Sequence, residues 1–201
     1  MNVVEHVEVP ILDALRAATR SRHAALGRTE AMVRLFEPTY TIAEYRAHLG
    51  DLLGLFDAIE AAASRAATPE DPAPLHRRSL DLRDDLAIMG VEPAGIDRLG
   101  DVHILTDLPA GGLRGYTYVI LGSMLGGRLI VKQLRSVLGP SASLRFYGAG
   151  ASGALGLWEA FCAELATARN ADVRAICSTA SAVFDAYAHW LSKPRNVAGS
   201  A

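Results

Sequence analysis

The chain has 201 residues, half of them hydrophobic and 21% charged, with a formal net charge of −2. That length can bury a substantial core in one domain, and the near-neutral balance excludes nucleic-acid binding through a global basic field. Only two cysteines occur, Cys162 and Cys177, without metal-ligand spacing, which excludes a disulfide framework and reads as two small buried apolar residues.

In chain order, residues 1–10 ("MNVVEHVEVP") lack the basic and apolar blocks of a signal peptide and form an N-terminal extension. No run of about 18 uncharged apolar residues follows anywhere, so a cytoplasmic protein with no membrane partner is expected. After Pro10 the spacing predicts a helix over 11–26, with Ile11, Leu12, Leu15, Thr19, His23 and Leu26 near one side. Thr41 with Glu44 three residues on forms a capping-box pattern opening a helix over 42–65, whose apolar face runs from Tyr45 to Ala63. A loop at 67–74 ("ATPEDPAP") leads to a shorter helix over 75–88, ended by "GVEPAG". Further helices are predicted over 111–138, about 156–169 and 172–191, the last with Ile176, Ala180, Val183, Phe184, Tyr187 and Leu191 along one face. "TYVIL" is the only β-rich run, and it continues into helical sequence. The fold class is all-α: a single-domain helical bundle of six to eight helices over 11–192, with a tail at 193–201.

The helix over 111–138 carries Gly122, Gly126 and Gly127 in its middle. Each interior glycine costs a helix about 1 kcal/mol relative to alanine. Gly122 and Gly126 share one face, which therefore has no side chains across a turn. Two readings follow: close packing of another helix, or a planar cofactor lying against the backbone, with a bend permitted at the same place. Among the six histidines, His23 stands on the apolar side of its helix amid small residues, with Arg16 and Arg20 on the same face to meet carboxylates. The bland alternative is a satisfied structural histidine. His6 sits near the terminus, His76 and His103 in polar segments, and His48 and His189 read as packing or surface positions. Asp81, Asp84 and Asp85 read as a solvated helix face. Ser123 has no nucleophile elbow around it.

Taken together, "LRAATRSRHAAL" (15–26) and "GYTYVILGSMLGGRLIVKQL" (115–134) resemble the haem oxygenase family, and are closest to its bacterial branch associated with bacteriophytochromes. Tyr118, Gly122, Ser123, Leu125, Gly126 and Gly127 match the distal-helix motif. Leu15, Arg16, Ala18, Thr19 and His23 match the first-helix pattern. The resemblance spans about 11–192.

It implies that His23 is the proximal ligand of haem iron. Gly122, Ser123 and Gly126 form the catalytic distal stretch. Arg16, Arg20 and Tyr118 stand near the propionates, with Leu121, Leu125, Gly127 and Phe184 as further haem contacts. It also implies haem b as both cofactor and substrate, dioxygen (O2) as oxidant, and biliverdin, CO and ferrous iron as products. Electrons come from an external reductase or ferredoxin, because no dinucleotide fingerprint is present; a bacteriophytochrome is the implied product acceptor. The sequence departs from the family at two acids: Gly27 stands where a carboxylate often orients the proximal histidine, and Leu121 stands where the bacterial branch usually has Glu. These losses raise an alternative, a non-catalytic haem-binding carrier or sensor on the same fold. A haem-free helical enzyme of the thiaminase-II-like group and a dimer built on the glycine face are further alternatives.

Overall fold

A computed structural model describes residues 10–67, 77–91, 108–109, 111–140, 142–148, 153–168 and 171–192. The N-terminal extension through residue 9, the loop over 68–74, His6, His76, His103 and the tail from 193 lie outside the described residues. Eight helices appear among those described: α1 (Ile11–Leu26), α2 (Glu30–Arg34), α3 (Ile42–Ala66), α4 (Arg78–Ile88), α5 (Leu113–Leu138), α6 (Arg145–Gly148), α7 (Ala154–Thr167) and α8 (Val173–Leu191). No strand occurs among these residues, and "TYVIL" is absorbed into α5.

Local chemistry sets most boundaries. The capping box at Thr41 is present, with Glu44 N–H donating to the Thr41 side chain and the Glu44 carboxylate accepting from the Thr41 N–H. Arg34 also donates to that carboxylate, and these donors pull Glu44 down to about 2. Asp172 caps α8 through the Ala175 N–H. The short helices α2 and α6 were not expected, and α7 begins two residues earlier than its spacing predicts.

Helix α3 supplies a long stretch of the core, buried from Tyr45 to Ala63 on the anticipated face and additionally at Leu55, Glu60 and Ala62. α8 packs on α5, on α1 and on α3, while α5 also meets α6 and α7. Close backbone approach explains two of the α5 glycines. A Cβ on Gly115 would sit 2.1 Å from the Ile176 carbonyl of α8, and one on Gly127 would sit 2.4 Å from the Tyr147 carbonyl of α6.

Two buried carboxylates tie α4 into the bundle. Glu60 accepts from the Ser79 N–H at 2.9 Å and the Ser79 hydroxyl at 2.6 Å, and burial pushes its carboxyl up. Asp85 corrects the reading of a solvated acidic face. It is fully enclosed and accepts from the Ser143 hydroxyl and the backbone N–H groups of Arg145 and Phe146. Those donors arrive from 58 to 61 residues further on, so Asp85 is the anchor that seats α6. Asp84 is solvent-facing and pairs with Arg145, whereas Asp81 is half-buried and pairs with Arg78. No helix among the described residues is long and apolar enough to cross a membrane.

Candidate functional site

Helices α1 and α5 meet where Tyr118 Oη lies 3.4 Å from Thr19 Oγ1. Thr19 spends its own hydrogen on the Leu15 carbonyl, so Tyr118 is the donor. One helical turn further along each helix come His23 and Gly122, and a second turn along α5 comes Gly126. None of these fills the space beyond the Thr19–Tyr118 contact. A Cβ on Gly122 would meet only Trp158, at 4.0 Å, and one on Gly126 would meet nothing within 4 Å. The result is a cavity of about 410 Å³ with His23 on the α1 side and a bare backbone ridge on the α5 side.

Apolar residues from α2, α3, α7 and α8 complete the walls. Phe184 stands edge-on to His23, with ring centres 5.8 Å apart and planes at 81°. Trp158 tilts against Tyr118 at 5.7 Å. Beside the imidazole, Arg22 Nε donates to both carboxylate oxygens of Asp185, at 2.9 and 3.0 Å. Since Arg22 precedes His23 and Asp185 follows Phe184, this ion pair fixes the register of α1 on α8 at the residues that face the cavity.

The inner end is more polar. Arg78 is 4% exposed, lies 4.7 Å over the Phe146 ring, and donates to the Phe146 carbonyl and to Asp81. Its Nε has no hydrogen-bond partner among the described residues. Tyr147 and Tyr187 line the same end.

Of the residues singled out in the sequence, His23, Leu26, Gly27, Tyr118, Gly122, Ser123, Gly126, Phe184 and Tyr187 line this one cavity, with His23 itself exposed. The remaining candidate haem contacts lie outside its wall. Arg16 is exposed on α1 and pairs with Asp13 at 3.3 Å, and Arg20 is exposed on the same helix. Leu121 is buried in the core on another side of α5, Leu125 packs partly against the core, and Gly127 faces the Tyr147 carbonyl. Ser123 donates to the Ile120 carbonyl at 2.7 Å, which occupies its hydrogen within the helix. Cys162 and Cys177 are free thiols with acidity weakened by burial, which fits inert side chains rather than a reactive nucleophile. His48 is a packing residue, fully buried, and His189 lies on the surface.

Sequence reasoning missed Arg78, Phe146, Tyr147 and Trp158. Trp158 carried a faint signal, as a large aromatic beside the Gly-rich stretch before α7. Arg78 and the α6 aromatics carried none, because distant partners bring them to the cavity.

The arrangement can hold a flat, mainly apolar ligand between a nitrogen donor and a stretch of exposed main chain. A family model described as Heme oxygenase matches residues 9–193. No curated protein matches the chain.

Proposed function

The chain belongs to the haem oxygenase family and is therefore a haem-degrading protein in general terms, and we propose that it cleaves haem b to biliverdin, CO and ferrous iron, with His23 as the residue that would hold the iron. The residues present fit haem. One imidazole opens into an apolar cavity, and the glycines opposite leave space that any side chain would fill. Haem, when bound, supplies both the iron that takes up dioxygen and the ring that is opened, with electrons from an external reductase or ferredoxin.

The chain's own residues then have distinct tasks. His23 would offer a ring nitrogen to the metal, with the edge of Phe184 against its ring and the Arg22–Asp185 pair beside it linking α1 to α8. Gly122 and Gly126 would let the main chain come close to a bound ring, so that backbone atoms rather than a movable side chain would bound the space beside it. Tyr118, anchored on Thr19, closes one edge of the slot. Arg16 and Arg20, on the same helix as His23, supply cations for the propionates. Ser123 is no proton source, since its hydrogen is held by Ile120. Protons therefore arrive through water ordered in the cavity, whose inner end offers the Arg78 guanidinium and two tyrosines. The branch resemblance makes a bacteriophytochrome the product acceptor.

A second reading, a haem carrier that does not turn over, is favoured by one observation: no carboxylate stands among the described residues lining the cavity. The observation that carries the oxygenase reading is the pairing of His23 with the open faces of Gly122 and Gly126 in one cavity. Hemin titration followed by reduction in air tests both readings. A one-to-one Soret band that is lost in His23→Ala, and that gives way in wild type to far-red bilin absorbance, is the expected result. A Soret band that persists through reduction in air would leave the carrier, and a band unchanged in His23→Ala would remove both readings.

A further inference from the structure

Five of the chain's six tyrosines, Tyr40, Tyr45, Tyr116, Tyr147 and Tyr187, are buried. Tyr147 combines two properties. The residue lines the cavity, and its hydroxyl lies 2.6 Å from Nε2 of His48, a histidine with no exposed surface. The two rings are nearly parallel, at 8° with centres 6.1 Å apart.

The backbone beneath them is fixed on both sides. The Tyr147 carbonyl sits against Gly127 of α5, and the preceding N–H is held by Asp85. Packing therefore sets the short phenol–imidazole distance.

Burial, with Tyr45, Tyr187 and Tyr40 nearby, lifts the Tyr147 hydroxyl well above ordinary phenol acidity despite the opposing Arg78 cation. At rest the proton stays on the phenol. A phenol that loses an electron becomes a strong acid, so its proton must leave at the same moment, and the imidazole in contact accepts it in the tautomer that carries its own proton on Nδ1.

We propose that Tyr147 and His48 form a one-electron redox site that discharges oxidising equivalents produced when haem in this cavity meets hydrogen peroxide. In the step, peroxide accepts two electrons and two solvent protons and becomes two water molecules. One electron comes from the bound haem and one from Tyr147. The Tyr147 O–H bond breaks, its proton forms a new N–H bond at His48 Nε2, and a neutral tyrosyl radical is left beside an imidazolium. Return of two electrons from the external reductase or ferredoxin, one to the haem and one to the tyrosyl radical together with the proton from His48, restores both. The site gives stray oxidation a defined resting place behind the cavity wall, where the radical is screened from solvent and held in a hydrogen bond. This inference rests on the reading of the cavity as a haem site.

Haem-loaded protein mixed with hydrogen peroxide and freeze-quenched for electron paramagnetic resonance tests it, after the Soret band has established that haem is bound. The expected signal is a tyrosyl radical that narrows with ring-deuterated tyrosine, disappears in Tyr147→Phe, and forms in much lower yield in His48→Leu. Should either variant misfold, wild type labelled with nitrogen-15 histidine carries the test, because electron–nuclear double resonance must then show the radical coupled to an exchangeable proton bonded to histidine nitrogen. A haem complex that gives no radical, or a radical unchanged in Tyr147→Phe or lacking the histidine coupling, overturns this proposal alone. Failure to form the haem complex overturns it together with the oxygenase reading.

Discussion

Replacing Gly126 and Gly127 by alanine, one at a time, moves the stability of the haem-free protein in opposite directions, although the two residues are neighbours in α5. At Gly126 an added Cβ meets nothing within 4 Å, and the backbone is ordinary helix. The substitution therefore gains helix propensity of about 1 kcal/mol without a clash. For a chain of this size that raises Tm by roughly 2–4 °C. At Gly127 the same methyl group would lie 2.4 Å from the Tyr147 carbonyl, a main-chain atom that Asp85 keeps in place through the adjoining residue. Overpacking of this kind costs about 1–3 kcal/mol. After the propensity gain of about 1 kcal/mol, the net effect is a loss of up to about 2 kcal/mol.

Thermal melts of the haem-free variants followed by far-ultraviolet circular dichroism read both changes. Hemin titration then separates fold from site: Gly126→Ala places its methyl group in the cavity and weakens or redirects haem cleavage while the protein itself is more stable. The reasoning is wrong if Gly126→Ala melts as low as Gly127→Ala, or if it binds and consumes hemin just as wild type does.

Removing the Asp85 carboxylate leaves two backbone N–H groups and the Ser143 hydroxyl without their acceptor. Asp85→Ala should lower stability by about 3 kcal/mol or more in chemical denaturation, and an unchanged midpoint would count against the anchoring role. Glu60 sets a pH dependence. Its carboxyl is raised in the folded protein, so the folded state binds more protons than the unfolded one and loses stability as pH rises from the unfolded value through the folded one. Glu60→Gln should flatten that decline in melts taken above pH 4.5, and an unaltered slope would assign it to other groups. The Arg22–Asp185 pair is partly solvent-exposed, with side chains 40% and 48% accessible. Asp185→Asn should therefore cost less than about 1 kcal/mol of stability and little of that at high salt, and a larger, salt-independent loss would refute a surface register pin.

The helices and their inward faces were legible in the sequence because 3.6-residue periodicity is local information. The α8 face from Ile176 to Leu191 and the α3 face from Tyr45 to Ala63 are buried as their spacing predicts. The same periodicity put His23, which is exposed, on the side of α1 that lines the cavity, and an unencumbered patch in the middle of α5. It could not say which glycine serves which partner. Gly126 and Gly127 differ by only about 100° around the helix axis, and the choice between cavity and contact belongs to α6, which seats the Tyr147 carbonyl on Gly127. That four-residue helix is too short to announce itself, since its stability comes from docking rather than from propensity. Asp85 looked solvated for a related reason: a carboxylate on a polar helix shows nothing in sequence of the donors that will reach it from residues 143–146. Tertiary structure alone also brought the Arg78 guanidinium and the Tyr147–His48 contact to the cavity's inner end. A chain's pattern encodes which face of each helix turns inward, but only packing fixes the rotation and approach of one helix on another, and those set what each inward residue meets.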